Sequence, residues 1–224
     1  LGQPKFEYGV REKEDQVGLV KGLAVAQWGG TLKNIEVAAV PGKGKLILTG
    51  QLGDVLKESA NAGFTYIRSR AEALGLDEDF HETHDFHVHY PGSVTGIDGP
   101  SAGISMAVAM VSALTGIAAR SDTALTGEIT LRGRVLPVGG IKEKVLAAHR
   151  GGITRVVIPE KNKKDLEELP EYVKESMEII TVAHMDRVLK ETLSEGDLGK
   201  LFGMLPADNE YSEDPTANSS NVDL

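Results

Sequence analysis

TGIDGPSAGISMAVAMVSALTG, residues 95–116, joins a short polar motif to a long run that is almost free of charge. The apolar run predicts a helix over 101–115 that is buried nearly all round and ends at Gly116. Pro100 suits the first turn of this helix, because the N–H that proline lacks would have no partner there. The segment therefore predicts the core helix of the fold, with the hydroxyl of Ser101 at its start.

Strands and helices alternate along the rest of the chain. Glycine and proline pairs mark the turns between three predicted strands, near 17–27, 31–40 and 44–49. A helix is predicted over 54–74, with Asp54 as its N-cap and Gly75 as its stop. The other predicted elements are a strand at 85–90, two short strands around Gly133, a helix within 139–152, a strand at 154–159, a charged helix at 161–169, a strand at 177–183 and a helix at 185–193. This order indicates an α+β or mixed α/β architecture.

The composition excludes several classes of site and partner. The chain has 33 acidic and 24 basic residues, a net charge of −9, which argues against broad binding to nucleic acids or anionic membranes. Cysteine is absent, so disulfides, thiolate nucleophiles and cysteine-ligated zinc are excluded. The apolar run 102–113 is too short to span a bilayer, and no signal peptide opens the chain. The composition fits a reducing compartment.

Polarity divides the chain into three parts. Residues 1–15 are predicted to be a linker, 16–205 a single domain, and 206–224 a disordered acidic tail without Lys or Arg. The sequence does not begin with Met, so we expect a piece of a longer protein. It also lacks the G-x-x-x-x-G-K-[ST] motif of P-loop proteins.

The start of the predicted core helix suits an anion. First-turn N–H groups point outward there and the helix dipole is positive, which stabilises a phosphate or the oxyanion of an acyl-transfer reaction. The plainer alternative is that Ser101 only caps the helix. A serine needs a base to act as a nucleophile, so other residues decide between these interpretations.

Three kinds of side chain could activate the serine. His87 and His89 would share one face of a strand, which permits a Ser–His pair or a metal site. Lys142 and Lys144 lie on a predicted helix, and on a helical wheel Lys144 is nearer to the buried stripe, where desolvation favours a neutral amine. Asp98 is the third candidate, although its carboxylate suits the orientation of backbone groups better than the role of base.

Four stretches together resemble one family. They are PGKGKLILTGQLGDVLKESA at 41–60, DGPSAG at 98–103, ALTGEITLRGRVLPVGGIKEKVLAAHRGG at 124–152 and VVIPEKNKKDLEELP at 156–170. Their order and spacing are similar to those of the proteolytic domain of the Lon ATP-dependent protease family, over about residues 15–195. The resemblance implies an α+β fold with a mixed β-sheet and packed helices. It also implies a serine endopeptidase that cleaves unfolded or damaged proteins.

The resemblance assigns catalytic roles to residues of this chain. Ser101 would be the nucleophile and Lys144 the general base, in a Ser–Lys dyad that needs no metal and no organic cofactor. Thr126 would hold the amine of Lys144 by a hydrogen bond. His89 would lie close to the site without acting as the base.

The loop before the serine departs from the family pattern. Asp98 and Gly99 match the family and would shape this loop, but Gly92, Gly96 and Ile97 stand where the family usually has Glu, Pro and Lys. The spacing is unchanged, so the resemblance still implies the same dyad. We expect the departure to alter the lining of the substrate groove and to make the loop easier to move.

The resemblance also implies partners. Family members assemble as homo-hexameric rings, and an AAA+ module that this chain lacks uses ATP and Mg²⁺ to deliver unfolded polypeptides. Neither a membrane nor a nucleic acid is an expected partner of this domain, and the bacterial cytoplasm is favoured over the mitochondrial matrix. Two other interpretations stay open, namely a non-catalytic ring-forming module of similar fold and a phosphate-binding enzyme similar to the GHMP kinases.

Overall fold

A seven-stranded mixed β-sheet forms the centre of the protein, whose computed structural model describes residues 14–26, 29–91 and 98–194. Its strands are Leu19–Ala26 (β1), Gly29–Pro41 (β2), Leu46–Thr49 (β3), His84–His89 (β4), Thr123–Leu125 (β5), Arg155–Pro159 (β8) and Glu178–Val182 (β9). A separate two-stranded sheet pairs Glu128–Ile129 (β6) with Val135–Leu136 (β7). The strand order in the large sheet is β3-β4-β2-β1-β5-β8-β9.

The large sheet has a parallel half and a mixed half. Strands β1, β5, β8 and β9 run parallel to one another. Strand β2 runs antiparallel to both of its neighbours, β1 and β4, and β3 runs parallel to β4. The mixed sheet with packed helices confirms the predicted α+β fold.

The helices of the described residues pack on both faces of this sheet. The α-helices are Asp54–Ser69 (α1), Phe80–Thr83 (α2), Gly103–Thr115 (α3), Ile141–Arg150 (α4), Glu171–Ser176 (α5) and Met185–Thr192 (α6). The 3₁₀ segments are Glu72–Leu74, Pro100–Ala102 and Glu160–Glu168.

Helix α3 is the core helix that the sequence predicts, and it ends at Gly116 as expected. Its residues 103–112 are all buried, because it lies between the sheet and helix α1. The two buried serines of α3 have partners: Ser105 donates to the carbonyl of Leu125, and Ser112 accepts from the N–H of Gly18. The helix therefore tolerates polar side chains only where the sheet or a loop completes their hydrogen bonds.

The two faces of the sheet support two separate hydrophobic clusters. On β2, Ile35 faces α1 and α3, whereas Leu32 belongs to the cluster under α4. On β1, Val20 and Leu23 divide in the same way. Strand alternation thus places α3 and α4 on opposite faces of one sheet.

The start and stop residues predicted for the first helix are wrong. Asp54 is the first helical residue of α1 and Gly53 is its N-cap, because a carboxylate from a distant loop supplies the capping interaction. The helix ends at Ser69, where the chain leaves it at Arg70. Gly75, with a φ of +64°, ends only the following 3₁₀ segment.

One further prediction differs from the structure, and one strand was not predicted. The charged segment predicted as a helix over 161–169 is the 3₁₀ segment Glu160–Glu168, whose buried residue Asn162 bonds to the N–H and carbonyl of Val138 instead of serving a helical stripe. Strand β5 was not predicted, because three residues buried on both faces show no alternation. The other predicted strands and helices are confirmed with small shifts of their ends.

Parts of the predicted organisation fall outside the described residues. These parts are the tail 206–224, most of the linker 1–15, and the positions Gly92, Gly96 and Ile97. Among the residues that are described, each helix is too short or too polar to cross a membrane.

A buried carboxylate ties α1 to α6. Asp186 is 3% exposed, and it accepts hydrogen bonds from the Tyr66 hydroxyl (2.6 Å) and the Arg70 guanidinium (2.9 Å). Burial raises the pKa of Tyr66, which keeps its phenol protonated as the donor. His184 caps α6 by accepting from the N–H of Asp186. The cluster fixes the helix that backs the core on the side away from α4.

We expect Asp186→Ala to lower the free energy of unfolding by about 3 kcal/mol, because it leaves a partly buried guanidinium and a buried phenol without their partner. Urea unfolding at neutral pH measures this change. Asp54→Ala is the matched control, since the Asp54–Lys57 pair is exposed and is worth less than about 1 kcal/mol. Equal losses in the two variants would show that the buried cluster contributes nothing special.

Candidate active site

Ser101 lies in the 3₁₀ turn that leads into the core helix. The turn Pro100–Ala102 replaces the first α-helical turn predicted there, and α3 itself begins at Gly103. Gly99 precedes the turn with a φ of +123°, a backbone conformation that favours glycine. The chain can therefore turn sharply just before Ser101, whose side chain is half-buried.

Lys144 approaches the same point from the helix on the other face of the sheet. Ile141, Val145 and Ala148 bury one side of α4 against the sheet, and this packing draws Lys144 inward until it is 3% exposed. Its Nζ donates a hydrogen bond to Thr126 Oγ1 at 3.0 Å. Burial lowers the pKa of Lys144 from 10.5 to about 8, because desolvation disfavours the ammonium form.

Thr126 joins the two residues. It follows strand β5, and its hydroxyl accepts from Lys144 and donates to the backbone carbonyl of Ser101 at 3.1 Å. The N–H of Gly127 donates to the same carbonyl at 2.8 Å. These bonds hold the Ser101 backbone against the end of β5, and Ser101 and Lys144 both line one cleft of about 800 Å³.

Asp98 orients backbone groups, as its carboxylate was expected to do. One oxygen accepts from the N–H of Gly99 (2.9 Å) and from the N–H of Leu56 (3.1 Å) in the first turn of α1. A Cβ at Gly53 would lie 2.2 Å from the Asp98 carboxyl carbon, so the absence of a side chain there makes room for the contact. Asp98 therefore fixes the serine loop to the N-terminus of α1.

Lys142, the other lysine of the same helix, points away from the cleft. Its ammonium lies 4.0 Å from a carboxylate oxygen of Glu168, and 44% of its side chain is exposed. The exposure of Lys142 and the burial of Lys144 agree with the helical wheel, because positions two residues apart on a helix face different directions.

The histidines of β4 contact a threonine. Thr49 Oγ1 lies 2.9 Å from His87 Nε2 and 2.7 Å from His89 Nδ1. His89 is not among the described residues that line the cleft. Within the described ranges, no three side chains of His, Cys, Asp or Glu come together as a metal site.

Three polar residues of the cleft were missed by the sequence reasoning. Thr31 and Lys33 reach it from the start of β2, and Tyr90 reaches it from the end of β4. Tyr90 is 3% exposed, burial raises the pKa of its phenol, and its hydroxyl has no partner among the described residues. Only Lys33 left a signal in the sequence, since its charge stands two residues before Ile35 on a strand face that is apolar from Ile35 onward.

A comparison with protein families matches most of this chain. The family described as the Lon protease (S16) C-terminal proteolytic domain matches residues 1–195. The matched range includes Ser101, Thr126 and Lys144 and every strand and helix of the described residues.

Curated proteins of similar sequence are named Lon protease or Lon protease 1. The Lon protease of Brevibacillus choshinensis is 55% identical over 199 residues, which are 89% of this chain and 26% of that protein. The Lon protease of Bacillus thuringiensis (strain Al Hakam) is 57% identical over 193 residues, 86% of this chain and 24% of the relative. Lon protease 1 of Bacillus subtilis (strain 168) is 55% identical over 193 residues, which are 86% of this chain and 25% of that protein. The chain spans about a quarter of the length of these relatives.

We expect Lys144→Met to stabilise the protein at pH 7 by about 3 kcal/mol, the free energy that corresponds to a pKa lowered from 10.5 to about 8. The gain should shrink as the pH rises from 8 towards 10.5. In that range the unfolded chain still binds a proton that folded Lys144 has released, so the wild type gains stability with pH.

Urea unfolding of the variant and the wild type at pH 7 and pH 10 measures the difference. Lys142→Met is the control, because its half-exposed amine should give the same small change at both values. A gain for Lys144→Met that did not depend on pH would contradict the burial of a titrating amine.

Proposed function

Since the chain belongs to the family of Lon protease (S16) C-terminal proteolytic domains, we propose that it hydrolyses peptide bonds through a Ser101–Lys144 dyad. The observation that supports this most strongly is the buried amine of Lys144, held by Thr126 beside the serine turn. A pKa near 8 leaves a useful fraction of the amine neutral at physiological pH. A serine hydroxyl is a weak nucleophile and requires such a base close to it.

Acylation begins with a proton transfer. The lone pair of Lys144 Nζ takes the proton of Ser101 Oγ as this oxygen forms a bond to the scissile carbonyl carbon. The N–H that Lys144 donates to Thr126 leaves the lone pair of Nζ available for the serine hydroxyl. When the C–N bond breaks, the lysine gives the proton to the departing amine, and the acyl group stays on Ser101 as an ester.

The serine turn supplies a donor for the oxyanion. Pro100 has no N–H, and the N–H of Gly99 is bonded to the carboxylate of Asp98. The N–H of Ser101 therefore remains as the candidate for stabilising the negative charge on the carbonyl oxygen, since the N–H of Ala102 closes the 3₁₀ turn on the carbonyl of Gly99.

Deacylation uses the same groups in a second round. Lys144 takes a proton from a water molecule, whose oxygen attacks the ester carbon. The bond from this carbon to Ser101 Oγ then breaks, the serine recovers its proton from the lysine, and a free carboxylic acid leaves. No metal or organic cofactor enters either step.

The rest of the expected biology extends the proposal beyond this chain. We propose unfolded or damaged polypeptides as substrates and a homo-hexameric ring as the working assembly. In a longer protein, an AAA+ module would bind ATP and Mg²⁺, since no P-loop motif occurs in this sequence. A bacterial cytoplasmic location agrees with the bacterial sources of the relatives. The family match sets aside the phosphate-binding alternative, and activity measurements distinguish the non-catalytic ring module.

We expect Ser101→Ala and Lys144→Ala each to reduce hydrolysis of an unstructured casein-like substrate by at least about a thousandfold, because members of a catalytic unit fail together. Circular dichroism should show the fold intact. Lys142→Ala is the matched control and should cleave at close to the wild-type rate. If Lys142→Ala abolished cleavage while Lys144→Ala kept it, the base assigned here would be wrong.

We also expect kcat/KM to rise with pH through a value near 8, because Lys144 must lose its proton before it can accept one from the serine. A fluorogenic peptide without titratable groups, assayed from pH 6 to pH 10, measures this profile and keeps substrate ionisation out of it. A profile that stayed flat from acid to neutral pH would exclude lysine as the base.

A further inference from the structure

Lys33 brings a positive charge to the cleft from the start of β2. It pairs in register with Gly22 of β1 and lies on the same face of the strand as Ile35, whose side chain packs towards α3. That face opens at the strand end into the cleft that Ser101 and Lys144 also line. The side chain is half-buried, so neighbouring residues restrict its conformation.

The ammonium of Lys33 has no acidic partner among the described residues. No ion pair or side-chain hydrogen bond is found for it in the described ranges. In contrast, the buried lysine on the other face of the sheet, Lys21, bonds to the side chain of Asn34 at 2.6 Å. A cation in a cleft without an internal partner is available to a ligand.

The one carboxylate of the cleft's described lining does not neutralise Lys33. Asp98 lies more than 4.0 Å from it, since no ion pair joins them, and the Asp98 carboxylate already accepts from the N–H groups of Gly99 and Leu56. Its charge is also favourably placed at the N-terminus of α1. The described lining of the cleft therefore presents a carboxylate that accepts two backbone hydrogen bonds and an ammonium, that of Lys33, without an acidic partner.

We propose that Lys33 is a specificity-determining residue that binds a carboxylate of the substrate close to the cleaved bond. The proposal rests on the proposed peptide hydrolysis and names the class of substrate, a polypeptide with an acidic group beside the scissile bond. The carboxylate can belong to an Asp or Glu side chain or to a chain terminus. Both have the same chemistry, and the test separates them.

Matched peptides measure the preference. A series of fluorogenic peptides places Glu at one position flanking the cleaved bond at a time. Each has a partner with Gln at the same position, and all of these peptides have acetylated and amidated ends. A third peptide is neutral in its side chains but keeps a free terminal carboxylate. At the best position, wild-type kcat/KM should be about three- to fivefold higher for Glu than for Gln, the range for a partly exposed ion pair. The ratio should fall towards one as salt is added.

The variants are compared by one ratio, kcat/KM for the Glu peptide divided by kcat/KM for the Gln peptide, and not by their absolute rates. Lys33→Gln should bring the Glu-to-Gln ratio to about one, and Lys33→Glu should bring it below one. Lys164→Gln removes the same charge from an exposed position on the 3₁₀ segment outside the cleft and should keep the wild-type ratio. If only the free terminal carboxylate gives a preference that depends on Lys33, the ligand is a chain terminus.

A binding experiment keeps the two proposals separable. In the Ser101→Ala background, fluorescence anisotropy should show tighter binding of the Glu peptide than of the Gln peptide, and Lys33→Gln should remove the difference. If the wild type cleaves peptides with a ratio near one, or if Lys33→Gln leaves the ratio unchanged, the role of Lys33 is wrong and peptide hydrolysis stands. If the wild type cleaves nothing while the binding preference persists, the hydrolytic function fails and the carboxylate site stands.

Discussion

The exclusion of water from the amine of Lys144 is the constraint on which the candidate site depends. An ordinary lysine is charged at neutral pH and cannot accept a proton, so the fold must remove water from this side chain without giving it a counter-ion. The apolar side of α4 does this by packing on the sheet, and the single hydroxyl of Thr126 orients the amine without neutralising a charge. An acidic partner in place of Thr126 would favour the ammonium form and remove the base.

The sheet makes this arrangement possible because it separates the two halves of the dyad. The serine turn precedes α3 on one face and the lysine projects from α4 on the other. They meet where β5 ends, because buried Thr126 directly follows that strand and its hydroxyl bonds to the amine of Lys144 and to the carbonyl of Ser101. A three-residue strand is sufficient for this purpose, since its parallel neighbours β1 and β8 hold it on both sides.

The parts of the site that the sequence predicted are those determined by local periodicity. The core helix follows from its apolar run, and Lys144 follows from the buried stripe that Ile141 and Val145 define on α4. What the sequence could not predict depends on contacts between distant segments. The capping of α1 by Asp98 joins residues that are 42 positions apart, and the 3₁₀ form of Glu160–Glu168 follows the bonds of Asn162 to Val138. Such contacts leave no period in the sequence.

The charge of the cleft opposes the charge of the whole chain. A net charge of −9 repels an acidic polypeptide over a Debye length of about 10 Å at moderate salt, which slows its encounter with the protein. Inside the cleft the balance is reversed, because the described lining holds the amines of Lys33 and Lys144 against the single carboxylate of Asp98. The repulsion by the whole chain affects the rate at which a substrate associates. The contact with Lys33 affects the rate at which it dissociates. A substrate with acidic residues beside the cleaved bond and few elsewhere satisfies both conditions, so selection by this cleft would depend on where a polypeptide carries its charge more than on how much it carries.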